Sequence, residues 1–452
     1  MLNTNSDILF NWIINIIKYS KLMNIAIIGS GPSAFYTVQS FLRENPSTNI
    51  DVFEKLPAPF GLVRYGVAPD HQKTKNIIRL FTKYLYENNV NYYGNVEIGK
   101  TISLETLSNL YDAVVVSSGA PEDKSLGIDN KSKVKIYGSA QFVGWYNGNP
   151  MHSNLSPNFN CKNIVIIGNG NVALDCARVI AKTKEEFYES DIMGYALSAL
   201  NQSSVENIYI IGRRTPKDAK FTISELREMA DLKLYKPEVD YDENEMLKVL
   251  ESNDIDTKVK KNIEALIDFK KISTDNKKKV IFKFLSTPSK IVNEDGINYL
   301  ILNKNKVIEN KIVSTDTIEK IPTDLIITAI GYRVSPIEGL ETEPNNNFFV
   351  NKEGHIKANI YTSGWASGAS VGVIGSNKIG ASLLVKKIIN EVSPNKNNAN
   401  NKLLEYFSKN SINYLTKEDW KKIDQIEIES ASVNFTRNKL VDIESINNKL
   451  KV

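Results

Sequence analysis

The chain has 452 residues, 42% hydrophobic and 24% charged, a globular composition long enough for two or three domains. A formal net charge of +4 with no clustered basic stripe argues against a nucleic-acid partner, yet leaves room for a local basic patch facing an acidic protein. Cys161 and Cys176 form no C-x-x-C pair and the three histidines join no ligand-spaced cluster, so no redox disulfide, zinc site or iron–sulfur cluster of its own is expected, and the compartment is read as reducing.

Residues 8–23, ILFNWIINIIKYSKLM, are apolar but interrupted by two asparagines and two lysines, and are too short for a membrane span. No integral membrane span is expected. The stretch carries lysines but no arginine, so an organellar targeting extension and a plain extension both fit residues 1–21. From Asn24, buried-strand runs alternate with helical patterns, which predicts an α/β fold with parallel sheets. The run NIAIIG leads into a helix through about Arg43, and NIDVFEK is the next strand. A proline-rich loop, LPAPFGLVRYGVAPDHQKTK (residues 56–75), precedes the apolar strand DAVVVSSGA (112–120). The polar stretch NGNPMHSNLSPNFNCK (147–162) marks a boundary, and a second α/β block opens at Asn163 and includes the strand VENIYIIGRR (205–214). Residues 231–324, rich in lysine and asparagine, read as a mixed α+β insert with solvated surfaces. TDLIITAIGY (323–332) repeats the form of DAVVVSSGA, and NKNNANNK (395–402) reads as a linker before a polar tail.

Two glycine loops carry the chemistry: GSGPSA (29–34) and GNGNVA (168–173), each between an apolar strand and a helical pattern. In G-x-G-x-x-G/A the first small residue permits the turn, the second lets backbone approach a pyrophosphate, and the third lets helix pack on strand. The loops supply Gly29, Gly31 and Ala34, then Gly168, Gly170 and Ala173. One such match is weak; two in one chain are much stronger. After the first loop, the next strand ends at Glu54, a carboxylate able to accept hydrogen bonds from ribose hydroxyls, or simply a solvated strand end. After the second, the strand ends at Arg213-Arg214, two guanidinium groups that suit a 2′-phosphate, or a solvated basic turn. The first site therefore calls for FAD and the second for NADP(H), a pairing that implies hydride transfer from NADPH to a flavin. The expected fold is two Rossmann-like dinucleotide-binding domains. The FAD domain is discontinuous (22–148 and 330–452), with the NADP domain (149–329) inserted.

At GSGPSAFYTVQ (29–39), PFGLVRYGVAPDHQKTKN (59–76), YYGNVEIG (92–99), FVGWYNG (142–148), GNGNVALDCAR (168–178), IGRRTPKDAKFTISELREM (211–229), AIGY (329–332) and SGWASGASVGVI (363–374), the chain resembles the adrenodoxin reductase family. These are mitochondrial-type ferredoxin–NADP reductases built on the glutathione-reductase plan. The resemblance spans about residues 23–450, is weak in the middle, and implies FAD, NADPH and a small acidic [2Fe–2S] ferredoxin as electron acceptor. It implies a mitochondrion or related organelle as the location. By it, FAD contacts fall on Ser33, Glu54, Leu62, Val96, Trp365, Gly372, Val373 and Ile374. NADP contacts fall on Asn169, Gly170, Asn171, Val172, Arg213, Arg214, Glu225 and Gly372. Ser33 stands where the family commonly has alanine and Asn169 where it commonly has glutamine, and the usual proline and threonine run near the flavin are missing.

Other residues carry two readings each. Trp365 covers the flavin by resemblance and is otherwise core packing. Thr222 and Glu225 form T-x-x-E, a capping box, while the resemblance sends Glu225 to the NADP ribose. Arg227, with Lys258, Lys260 and Lys261, docks the acidic ferredoxin by resemblance, or is a solvated face. His71, in the APDH loop, and Asp175, one helical turn beyond Asn171, are read as a proton relay or as structural groups. Three rivals stand beside the reductase: a disulfide reductase, which lacks its cysteine pair here; a flavin monooxygenase; and a non-catalytic redox-sensing module.

Overall fold

Strand Asn24–Ile28 is buried at every position, because parallel neighbours flank it on both sides and apolar cores form on both faces. Ile25 and Ile27 pack under helix Pro32–Glu44 and helix Asn377–Glu391, whereas Ala26 and Ile28 face the helices Leu104–Leu110 and Ala399–Lys409. The computed structural model describes residues 22–450, other than 133, 253, 273–274, 310, 345–346, 369–373, 443, 445 and 447–449. The expectation for an extension at residues 1–21 lies outside the described residues.

The first sheet runs in the spatial order His355–Lys357, Ile360–Thr362, Ala113–Val116, Asn24–Ile28, Asn49–Glu54, Val90–Gly94. Its strands are parallel except the His355–Lys357 edge. The second sheet is wholly parallel: Tyr235–Asp240, Lys278–Lys283, Asn207–Ile211, Asn163–Ile167, Leu325–Thr328, Lys135–Gly138. In each, the glycine-loop strand sits where strand order reverses, the place where open α/β sheets bind ligands. The two halves repeat each other down to single hydrogen bonds. Ser117 N donates to Ile28 O (2.7 Å) as Ala329 N does to Ile167 O (2.7 Å), and Gly29 N donates to Phe53 O (2.7 Å) as Gly168 N does to Ile211 O (3.0 Å).

Three expectations change. Strand Lys135–Gly138 and helix Ser139–Tyr146 belong to the second sheet and its core, on the far side of the boundary expected at 148/149. The polar text at 147–162 misled because it is a loop following that helix, which returns Phe159 and Cys161 to the same second core. The lysine-rich stretch 231–324 is not one insert: Tyr235–Asp240 and Lys278–Lys283 extend the parallel sheet, burying Val280 and Phe282 between lysines. Only the strands Ser286–Glu294, Ile297–Ile308 and Lys311–Pro322, with Asp129–Asn130, form a separate sheet, packed on the second one through Ile291, Leu300, Leu302 and Ile321. The asparagine run 395–402 is not a free linker. Asn395 and Lys396 donate backbone N–H groups to Asp112 (2.7 and 2.9 Å), and Asn400 donates its amide to Asp51 (3.0 Å). Two backbone N–H groups and one asparagine side chain there satisfy buried carboxylates, which composition cannot distinguish from solvation.

Candidate functional site

The two loops use glycine for two different reasons. Gly29 and Gly168 have φ of +98° and +141°, and a Cβ there would lie 2.5 Å from the Ser117 carbonyl oxygen and 2.2 Å from that of Ala329. The fold itself demands glycine at these positions. Gly31 and Gly170 have ordinary φ of −80° and −130°, and a Cβ at either meets nothing within 4 Å. No neighbour among the described residues occupies the space a side chain would take, so each opening is a cradle able to admit a group from outside the chain. Helices Pro32–Glu44 and Asn171–Ala181 have no side-chain cap, so their first-turn N–H groups and positive dipole ends face the cradles. Buried Ser118 Oγ and Asn169 Oδ1, at the first and second loops, find no hydrogen-bond partner among the described residues. The first-turn N–H groups and the Ser118 hydroxyl are donors that fit a dinucleotide pyrophosphate, while Asn169 Oδ1 can only accept and would meet a ligand hydroxyl or N–H. Ala34 and Ala173 are fully buried where helix meets strand, and Ser33 lies under the Gly364 turn.

The charges beyond the loops differ in sign. Glu54 is buried, and its carboxylate accepts from Ser30 N–H (3.1 Å), Ser30 hydroxyl (2.6 Å) and Leu56 N–H (3.0 Å). It therefore braces the first loop as well as lying at its edge. Buried Val96 donates its N–H to Glu54 O (2.9 Å), and Leu62 stays exposed directly after Gly61. Gly61, at φ +47°, closes over the first cradle: its Cβ would lie 2.9 Å from Gly31 Cα. In the second half, Arg213 and Arg214 are exposed beyond Gly212, against which the Asn169 amide packs. Among the described residues the Arg214 side chain pairs with Asp218 alone, at 3.4 Å, a solvent-exposed contact of small worth. Val172 is half-buried against the second core.

The capping box expected at Thr222 and Glu225 does not form. The Asn171 amide takes the Thr222 N–H (2.7 Å), and the Thr222 hydroxyl donates to the Glu225 carboxylate instead. Asn171 thereby ties the second loop to helix Ile223–Arg227. Arg227 ends that helix, exposed, and the helix packs against Thr257–Lys271, which exposes Lys258, Lys260 and Lys261. Ile374 opens a turn into helix Asn377–Glu391; Gly372 and Val373 lie outside the described residues.

His71 and Asp175 are not hydrogen-bonded to each other. His71 Nε2 lies 3.0 Å from Glu228 Oε2, while Asp175 accepts from Arg178 Nη2 (2.7 Å). Arg178 also pairs with Asp70, sets Nε 3.1 Å from Glu228, and is itself buried; Lys182 reaches Asp70 at 2.5 Å. Asp70 and His71 come from the proline-rich loop of the first half, and Asp175, Arg178 and Lys182 from the glycine-loop helix of the second. The network thus bridges both halves. Burial pulls the His71 pKa down, but the Glu228 hydrogen bond, with Asp175 and Asp70 nearby, outweighs it and holds the pKa above 6.5. Burial dominates at Asp175 and raises its pKa against the pull of Arg178. Trp365 stacks on Tyr332 with ring centroids 6.0 Å apart and 14° between planes. Among the described residues no group of His, Cys, Asp and Glu side chains is arranged to hold a metal, and no helix is long and apolar enough to cross a membrane.

Residues 23–285 match the pyridine nucleotide-disulphide oxidoreductase family. Over 94% of its length the chain is 32% identical to the mitochondrial NADPH:adrenodoxin oxidoreductase of Arabidopsis thaliana, covering 95% of that protein. The chain belongs to the adrenodoxin reductase family. It is also 32% identical to the NADPH-ferredoxin reductase FprA of Mycobacterium tuberculosis, over 89% of this chain and 93% of that one. The structure of Mycobacterium tuberculosis FprA in complex with NADPH superposes with a TM-score of 0.88 at 30% identity, covering 96% of this chain and all of that one. As an adrenodoxin-reductase-type oxidoreductase, the chain binds FAD and NADP(H).

Glu228, Arg178, Asp70 and Gly61 escaped the reading of the reductase's sequence. Asp175 and Arg178 stand three apart on a helical pattern and were legible as a pair. Glu228 is 157 positions from His71, and no local pattern joins them.

Proposed function

We propose that the chain is an NADPH:ferredoxin oxidoreductase, with an acidic [2Fe–2S] ferredoxin as acceptor. The first sheet and the C-terminal helices form the FAD domain, and the second sheet, with the antiparallel sheet packed on it, forms the NADP domain. One observation carries the reading: two open cradles of one design, one beside a carboxylate and one beside two exposed arginines. When bound, the cofactors supply a hydride relay, so that one NADPH and two oxidised ferredoxins give NADP+, two reduced ferredoxins and one proton. The chain contributes placement. Gly31 and Gly170 admit the pyrophosphates, Glu54 holds the first loop closed, and Arg213 with Arg214 select the 2′-phosphate. At the junction of the halves, His71 with Glu228 hold a proton beside the site, and Asp175 keeps Arg178 in place.

Exposed Arg227 and the lysines of the adjoining helix form the docking face, which fits an acidic partner and weakens with salt. Arg227→Glu should lower ferredoxin reduction about tenfold while sparing NADPH-driven reduction of a small dye. Equal loss of both rates would move Arg227 from docking to catalysis, and absence of a flavin spectrum in the purified protein would sink the whole reading. Organellar location belongs to the same proposal, supported by the mitochondrial names of relatives; fractionation of the native cell tests it.

A further inference from the structure

The chain passes between its two sheets twice, after strand Ala113–Val116 and after strand Leu325–Thr328. Where the crossings run side by side, Glu122–Asp123 and Tyr332–Arg333 pair antiparallel, with Tyr332 opposite Asp123. Tyr332 has a contact on each half. Its ring stacks on Trp365, and its hydroxyl lies 3.0 Å from Ser139 Oγ.

The two contacts are anchored separately. Trp365 belongs to the first half: Gly364, at φ +67°, turns so tightly onto the first glycine-loop helix that a Cβ there would lie 2.5 Å from Ser33 Cβ. Ser363 Oγ, in the same turn, bonds Ser117 Oγ at 2.7 Å. Ser139 belongs to the second half. It opens helix Ser139–Tyr146, which buries Phe142, Val143, Trp145 and Tyr146 in the second core. Asp123 accepts from Ala140 N (2.9 Å) and Gln141 N (3.2 Å) of that helix and from Ser139 Oγ (3.3 Å), so the ribbon is fastened to the helix by three hydrogen bonds.

We propose that Tyr332 is a positioning residue for hydride transfer: its ring holds the Trp365 indole in place, and its hydroxyl ties that indole to the NADP half. The separation of the two halves at the flavin is then set through the stack, not only by the crossings themselves. The inference rests on the reading of Trp365 as a flavin contact. It differs from a packing role in what it predicts, because hydride transfer is sensitive to small errors of alignment while dinucleotide affinity is not.

The test uses the FAD-loaded full chain and the variants Tyr332→Phe, Tyr332→Leu and Trp365→Leu. Flavin absorption and fluorescence are recorded before NADPH is added. Anaerobic mixing with NADPH then separates the limiting rate of flavin reduction from the apparent dissociation constant. Tyr332→Leu should shift the flavin spectrum in the same sense as Trp365→Leu and lower the limiting rate about tenfold, with the NADPH dissociation constant within about twofold of wild type. Tyr332→Phe keeps the ring and should keep the spectrum, losing about threefold in limiting rate with the single hydroxyl contact. A wild-type spectrum and limiting rate in Tyr332→Leu, or a loss confined to NADPH affinity or melting temperature, overturns the proposal. Should Tyr332→Leu fail to hold flavin, Tyr332→Phe decides, and a wild-type limiting rate there overturns it. If instead Trp365→Leu leaves the flavin spectrum unchanged, the reading of Trp365 fails first and takes this proposal with it.

Discussion

Glu54 ends the strand after the first glycine loop and is buried with three donors, whereas Arg214 lies three residues past the end of the strand after the second and is exposed with a weak partner. A guanidinium held near solvent keeps its donors available to a phosphate, whereas a carboxylate there would repel one. Arg214→Glu should therefore raise the apparent KM for NADPH by about tenfold to a hundredfold, the worth of one or two charge-assisted hydrogen bonds, and leave NADH little changed. An unchanged NADPH preference in steady-state kinetics would remove Arg214 from the phosphate site. His71 raises a question of proton affinity. Its folded pKa lies above 6.5, so its share of stability is fully present below 6.5 and is lost as pH rises through the folded value. The Glu228 pKa is lowered despite burial, chiefly by the His71 hydrogen bond and then Arg178, so its share is present above 4.5 and lost as pH falls. Burial and the neighbouring Arg178 cation dominate once Glu228 is neutralised. Glu228→Gln should then bring the His71 pKa down toward or below 6.5, read from imidazole NMR shifts against pH. An unmoved titration would show that Asp70 and Asp175, not Glu228, set it.

Among the elements, each glycine loop separates what folding requires from what a ligand requires. Gly168→Ala forces a Cβ against the Ala329 carbonyl at positive φ and should destabilise the chain by about 1–3 kcal/mol or more, seen as a lower melting temperature. Gly170→Ala meets no neighbour and should melt like wild type while weakening NADP+ binding at least about tenfold by calorimetry. Equal losses of stability in both variants would mean that the second glycine is structural. Strand, loop and helix were legible here because burial on both faces writes continuous apolar runs, and the turn demands small residues at fixed offsets. The T-x-x-E pattern at Thr222 was equally regular and misled. A capping box is local, and Asn171, 51 positions away, competes for the same N–H. The strand of residues 278–283 went unread for a related reason: its lysines hide an alternation that buries Val280 and Phe282.

Over the whole molecule, the C-terminal tail fastens the halves together. Lys439 Nζ reaches Asp191 at 2.8 Å, and Lys75 reaches the same carboxylate at 2.6 Å, with all three side chains buried. Lys75 comes from the first half, Asp191 from the second and Lys439 from the tail. Burial pushes the Lys439 amine down to about 7; Asp191 opposes this, while Lys75 and Arg64 reinforce it. The unfolded chain keeps that proton up to 10.5, so between 7 and 10.5 it binds more protons and stability rises with pH. Lys439→Met leaves Lys75 on Asp191 and removes this dependence. Its melting temperature relative to wild type should be more favourable at pH 6 than at pH 9, and an offset independent of pH would place the Lys439 charge elsewhere.

Local covalent and steric rules were enough to write two dinucleotide loops, their strands and their opposite charges into the chain, since each depends on residues within a few positions of one another. Two parallel sheets follow from that text, but the expected boundary at 148/149 does not, since strand Lys135–Gly138 and helix Ser139–Tyr146 join the second sheet and its core. The tertiary structure alone decided which charged groups meet. His71 with Glu228, Lys75 and Lys439 with Asp191, and Tyr332 with Trp365 each join segments from different parts of the fold. Such pairs depend on how the halves pack, and packing between distant segments leaves no periodic mark along the sequence.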